Sequence, residues 1–241
     1  MDIPTSLADI TLRQYKVFFK FQEKNTNVRL LQAQMISIFC NVPIEDVLQM
    51  KYQDTQEVIK ILDELFIEKP KLVQRFKLNG MQYGFHPSLD DLTLGEYVDL
   101  DTYVGDWNNI EKAMNVLYRP IEAKFGESYA VGKYKLEDAD NIIDMPMSAV
   151  TSSLFFFADF RDRLVKDYDE IFGQGTKGGL DRVSQFGAKW GWYHSIYELA
   201  KGDVTRVEHI TELNIHQCFM MMSYLKDKND LENKQIKNNF K

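Results

Sequence analysis

The chain has 241 residues, 44% of them hydrophobic and 27% charged, and a formal net charge of −7 at pH 7. That length suits one large domain or two small ones with a sizeable core, and the composition is ordinary for a globular fold. The acidic balance argues against nonspecific binding to nucleic acid or to an anionic membrane, and no apolar run approaches the ~18 residues of a membrane span.

Residues 1–10 read as an arm; MDIPTSLADI has neither a basic n-region nor an apolar h-region, so no cleaved export signal is expected. Thr11-Leu12-Arg13-Gln14 is a capping box with Ile10 and Tyr15 as a hydrophobic staple. It opens a helix to about Phe21 that carries Leu12, Tyr15, Phe18 and Phe19. Further helices follow at about 28–40 (Leu31, Met35, Ile38 and Phe39 inward), 43–50 behind Pro43, and 54–69 (Val58, Ile61, Leu62, Leu65 and Phe66 inward). Short connections favour antiparallel neighbours, so 1–70 reads as an N-terminal helical bundle.

Residues 71–120 form the second segment, and its strongest signal is Asn79-Gly80 between two alternating runs. A two-residue turn pairs Leu78 with Met81 and Phe76 with Tyr83, placing Phe76, Leu78, Met81, Tyr83 and Phe85 on one face. An isolated hairpin needs a cover, and two helices supply it. The first starts at a second capping box, Thr93-Leu94-Gly95-Glu96, with Leu92 and Tyr97 as its staple. The second, about 107–118, presents Ile110, Ala113, Met114 and Leu117 and is stopped by Pro120.

In the third segment, 121–172, residues 121–144 show no clean period and read as loop with some helix. Asp144 and Pro146 then open a long helix whose stretch SLFFFADF is apolar on nearly all sides, as suits an interior or an interface. Gly173 to Gly179 is a Gly-rich hinge. A phosphate loop is the sharper alternative, but the stretch lacks the G-x-x-x-x-G-K-[ST] pattern and follows a helix rather than a strand. The last segment, 180–241, holds a helix of about 180–201 with Trp190, Trp192 and Tyr193, then a helix capped by Asn214 that includes Met220, Met221 and Met222. Beyond Lys226 the tail is polar, and its end is expected to fray. The fold class is therefore mainly α: a helical bundle with one small β-hairpin, α+β at most.

Chemistry-bearing patterns are sparse. Cys40 and Cys218 sit far apart in apolar helical runs and read as buried reduced thiols. The four histidines show no ligand spacing, and no serine sits in a nucleophile elbow. Seven acids fall between Leu78 and Glu111 without one Lys or Arg, and Asp99-x-Asp101 resembles the start of a calcium loop whose remaining ligands are missing. Those acids are solvated caps or a docking surface for a basic partner. No catalytic, cofactor-binding or metal-binding residue is assigned. Phe155, Phe156, Phe157, Trp190, Trp192, Met220, Met221 and Met222 form the candidate partner-binding set, with helix core as the alternative at each position.

The stretch RFKLNGMQYGFHPSLDDLTLGEYVDLDTYVGDWNNIEKAMNVLYRP, together with WGWYHSIYELAKGDVTRVEHITELNIHQCFMMMSYLKDKNDLE, resembles small virion-morphogenesis proteins of tailed bacteriophages. It is similar to those described as tail assembly chaperones, with similar sequences in crAss-like phages. The likeness leaves 120–180 outside it and offers no catalytic residues to carry over. It implies a non-enzymatic protein that works by protein–protein contact in the host cytoplasm during assembly. The implied partners are other phage structural proteins, with a homo-oligomer possible and no nucleic acid, membrane or cofactor involved. The alternative is a permanent virion component, either a ring at the portal–tail junction or capsid cargo.

Overall fold

The computed structural model of the chain describes residues 1–67, 71–172 and 182–239. The helices are α1 (Leu12–Lys24), α2 (Val28–Phe39), α3 (Ile44–Gln49), α4 (Tyr52–Ile67), α5 (Leu94–Tyr103), α6 (Ile110–Leu117), α7 (Met147–Asp167), α8 (Asp169–Phe172), α9 (Arg182–Leu199), α10 (Val207–Thr211) and α11 (Ile215–Asn239). The strands β1 (Arg75–Leu78), β2 (Met81–Phe85), β3 (Tyr118–Phe125) and β4 (Ser128–Val131) form one antiparallel sheet in the order β1-β2-β3-β4. The fold is mainly α with a small β part. Two compact units divide the chain: 1–87 with 100–157, and 88–99 with 158–241.

Each unit contains the same arrangement of two helix starts. In the first, Thr11, the cap of α1, bridges Pro146, the residue before α7. Leu12 N donates to Met145 O at 2.9 Å and Met147 N donates to Ile10 O at 2.8 Å. In the second unit Thr93 bridges Asn214; Leu94 N donates to Leu213 O at 2.8 Å and Ile215 N to Leu92 O at 3.0 Å. Both bridges are non-hydrogen-bonded antiparallel pairs, so the paired residues' own backbone groups stay free. The capping boxes use that freedom: Thr11 N donates to Gln14 Oε1 and Thr93 N to Glu96 Oε2, both at 2.9 Å. Pro146, which has no N–H, fits the remaining place at no cost. Residues 1–10 do not form a free arm, because Leu7 and Ile10 are buried and Ser148 N donates to Leu7 O at 3.1 Å.

The hairpin has the register expected from its turn, with Phe76 opposite Tyr83 and Leu78 opposite Met81. Asn79 and Gly80 both have positive φ, 49° and 78°, as a type I′ turn requires. The sheet continues where irregular loop was expected. Leu117 ends α6 and β3 starts at once, turning back to β4 through Gly126-Glu127 with positive φ at Gly126, the II′ pattern. Pro120 read as a helix stop, yet it lies within β3. Its carbonyl accepts from Gly132 N at 2.9 Å, so its missing donor faces the β4 side, next to a register shift between Ile121 and Ala123. Proline is tolerated at such an irregularity.

The core of the first unit is α6. Ile110, Ala113, Met114, Val116 and Leu117 are fully buried, and so is Tyr118 behind them. The Tyr118 hydroxyl donates to Val73 O at 2.7 Å, and burial pushes its pKa far up. Phe76 and Phe85 meet its ring edge-on, with centroids at 5.2 and 5.4 Å. The helical bundle joins this core through rings: Phe18 against Phe39, Phe39 against Phe66, and Tyr15 against Trp107 at 4.7 Å. In α4 it is Ile59 rather than Ile61 that turns inward, and Ile61 is exposed. One ion pair is nearly dry. Lys16 binds Glu111 with 11% of each side chain exposed, and Lys16 also donates to Asn108 O at 2.8 Å.

Gly80→Val should lower stability by more than ~1 kcal/mol, measured by denaturant unfolding. A Cβ there meets nothing within 4 Å, so the cost is backbone strain at positive φ alone. Glu111→Ala should cost about 3–5 kcal/mol because it leaves a buried ammonium without its carboxylate. The paired change Lys16→Met with Glu111→Leu should cost much less, and a double-mutant cycle reads the difference.

Candidate functional site

The candidate contact surface is built on an aromatic cluster in the second unit. Phe219, fully buried on α11, is ringed by Tyr97 from α5 (5.4 Å between centroids), Tyr168 from the end of α7 (5.3 Å), Phe172 from α8 (5.4 Å) and Trp192 from α9 (6.0 Å, stacked within 9°). Edge-to-face and stacked rings at these separations are favourable, worth about 0.5–1.5 kcal/mol per pair beyond their buried area. The starting turn of α11 is pinned from two sides. His216 Nδ1 is 2.9 Å from the Tyr168 hydroxyl and its Nε2 is 3.1 Å from Asp90 Oδ1, while Asn214 Nδ2 donates to Asp90 O at 2.8 Å.

On that platform stand exposed apolar groups: Trp190, Tyr193 and Tyr197 on α9, and Met220, Met221 and Tyr224 on α11. The helix expected through 180–201 is broken at Gly191 (φ 44°, ψ −127°). The break lets Trp190 stand outside, ring to ring with Tyr193 at 5.7 Å, while Trp192 turns into the cluster.

The predicted set therefore splits. Trp190, Met220 and Met221 are exposed as a contact surface needs, but Trp192 and Met222 are half-buried and face inward. Phe157, at 2% exposure, is core rather than surface. Phe155 and Phe156 are exposed on α7 in the first unit, where Phe156 meets Phe85 edge-on at 5.3 Å. SLFFFADF is thus two-sided, with Phe157 and Phe160 buried on one side of α7. Tyr193, Tyr197 and Tyr224 are exposed as well although they stand outside the predicted set, because their helical spacing matches that of a core face equally well.

The acids between Leu78 and Glu111 are largely used locally. Glu96 closes a capping box, Glu111 holds Lys16, and Asp106 accepts from Asn109 Nδ2 at 2.7 Å and Asn108 N at 3.0 Å. Those bonds hold the Asp106 carboxyl below its usual range, the Asn109 contact most of all. Among the described residues no three His, Cys, Asp or Glu side chains converge as metal ligands, and no helix is long and apolar enough to cross a membrane. The Gly-rich stretch at 173–179 lies outside the described residues. Cys40 and Cys218 are buried and unbridged; burial pushes both thiols up, Cys218 to about 11.

Two other places have the outline of chemistry. Asp90–His216–Tyr168 is a hydrogen-bonded chain, yet burial and the nearby Asp167 and Asp90 push the Tyr168 hydroxyl up, away from the phenolate a nucleophile needs. The first unit has a cleft of about 570 Å³ lined by Arg13, Arg119, Lys133, Lys135, Asp138, Asp140 and Asp144. Both signs of charge line it. Arg13 is tied to Asp144 at 2.6 and 3.0 Å, and Arg119 donates to Val116 O and Gly132 O, both at 3.3 Å. No single ligand charge is selected there.

Truncating the platform and truncating its surface should differ sharply. Phe219→Ala should cost about 3–5 kcal/mol in unfolding measurements, whereas Met221→Ala should stay within about 0.5 kcal/mol. No family model, curated protein or solved structure matches this chain.

Proposed function

We propose that the chain is a non-enzymatic assembly protein of a tailed bacteriophage, acting through protein–protein contacts in the manner of a tail assembly chaperone. The observation that carries this reading is the exposed row of Trp190, Tyr193 and Tyr197 beside the aromatic cluster around Phe219. Large rings held at the surface at low entropy cost are what hot spots of binding are made of. The phage assignment rests on the resemblance of the hairpin-to-Pro120 stretch and of the carboxy-terminal helices. The occupant is an apolar segment of another phage structural protein, which the row shields until assembly.

The test is co-expression with tail and head proteins of the same phage. A complex should form with one of them, and Trp190→Ser with Tyr193→Ser should weaken it at least about tenfold, as loss of a hot spot does. An unchanged complex, or none with any structural protein, would overturn the reading. Mass spectrometry of purified particles then sorts the role: absence marks a chaperone, and stoichiometric presence marks a permanent component at the portal–tail junction or inside the capsid.

A further inference from the structure

Helix α11 has two apolar faces. Ile215, Cys218 and Phe219 are buried on one side, with Met222 and Leu225 half-buried in the same row. On the other side Met220, Tyr224, Asp227 and Leu231 follow one another at spacings of four, three and four residues. At 100° per residue these four side chains fall within about 60° of arc. Met220, Tyr224 and Leu231 are 67, 61 and 57% exposed. Alternating steps of four and three are the spacing of a coiled-coil seam. Beyond Lys226 the helix continues to Asn239, and residues 227–238 are exposed on every side. A run of that length is marginal as a lone helix in water, and the pair Lys228–Glu232 at 3.7 Å adds only a few tenths of a kcal/mol.

We propose that this second row is a seam on which a second copy of the chain docks through the same row, antiparallel. The charges favour a copy of itself as occupant. From Lys226 to Lys237 the segment carries four lysines (226, 228, 234 and 237) against Asp227, Asp230 and Glu232, so it is nearly neutral in a chain of net charge −7 and does not repel its like. They also choose the direction. Parallel pairing sets Asp227 against Asp227 and Lys234 against Lys234, two like-charge contacts in the seam. Antiparallel pairing with Met220 opposite Leu231 of the second copy also sets Tyr224 opposite Asp227 of that copy. The phenol donates to the carboxylate, and two-fold symmetry repeats both layers. A polar pair inside an apolar seam fixes register at some cost in affinity. This inference goes beyond the phage reading and needs no phage partner.

The experiment uses the full chain. Sedimentation equilibrium over a wide concentration series should show a reversible monomer–dimer equilibrium. Leu231→Lys should abolish it without moving the melting temperature measured at concentrations where the wild type is monomeric, since Leu231 is exposed within one copy. Asp227→Leu should tighten it by about tenfold or more. Direction is read by disulfide trapping, for which the buried Cys40 and Cys218 give a silent background. A mixture of Met220→Cys and Leu231→Cys chains should cross-link, and Leu231→Cys alone should not. A wild-type monomer at every concentration overturns the proposal, as does a dimer indifferent to Leu231→Lys. Cross-linking of Leu231→Cys with itself overturns the antiparallel arrangement, and capture of a different helix on the seam overturns the choice of occupant.

Discussion

An α-helix begins with N–H groups that its own turns cannot satisfy, and this chain meets that constraint twice by joining helix starts in pairs. In each pair the two segments ahead of the helices run antiparallel for one bridge, exchange two backbone bonds across it, and leave one cap N–H for a glutamine or glutamate three residues on. The apolar residues flanking the caps are drawn inside as a result: Ile10, Leu12, Met145 and Met147 in one unit, Leu92, Leu94 and Ile215 in the other, all without exposed surface. Each clasp closes a loop of well over a hundred residues. Loop-closure entropy grows only slowly with length, so two backbone bonds, one capping box and a handful of buried side chains suffice to hold α1 to α7 and α5 to α11.

Within the first unit the clasp leads into a core in which the polar side chains of α6 are paired. Glu111 and Asn115, four residues apart on the buried α6, meet Lys16 and Lys135 O respectively, the latter at 2.7 Å. Tyr118 ends the helix and starts β3, and its hydroxyl reaches Val73 O just ahead of β1. Burying such groups costs several kcal/mol each unless they are paired. That requirement gives the core one arrangement rather than several of similar energy.

What was legible in the sequence was local. Both capping boxes, the Asn79-Gly80 turn with its register, and the face of α6 were readable because each is decided within about ten residues. What was not legible depended on distant partners or on one misleading residue. Ile10-Thr11-Leu12 and Leu92-Thr93-Leu94 are nearly the same tripeptide, but their clasps need Met145-Pro146-Met147 and Leu213-Asn214-Ile215 to become visible. The second hairpin carried its own signal in Phe125-Gly126-Glu127-Ser128, masked by Pro120 and the register shift beside it. For the candidate contact set, composition pointed to crowded apolar helices but could not assign their faces: a methionine row and a phenylalanine run look alike whether they turn in or out.

The break at Gly191 also shapes how the molecule can be watched. It sets the neighbours Trp190 and Trp192 in opposite surroundings, one at the surface beside Tyr193 and one stacked on Phe219. The third tryptophan, Trp107, lies in the first unit against Tyr15. The chain thus carries three indole fluorophores in three surroundings: one packs against rings inside each unit, and the third, Trp190, is at the surface, where the proposed partner would dock. A spectral shift confined to that third emitter is the signature of an encounter, distinguishable without any label from loosening of either core.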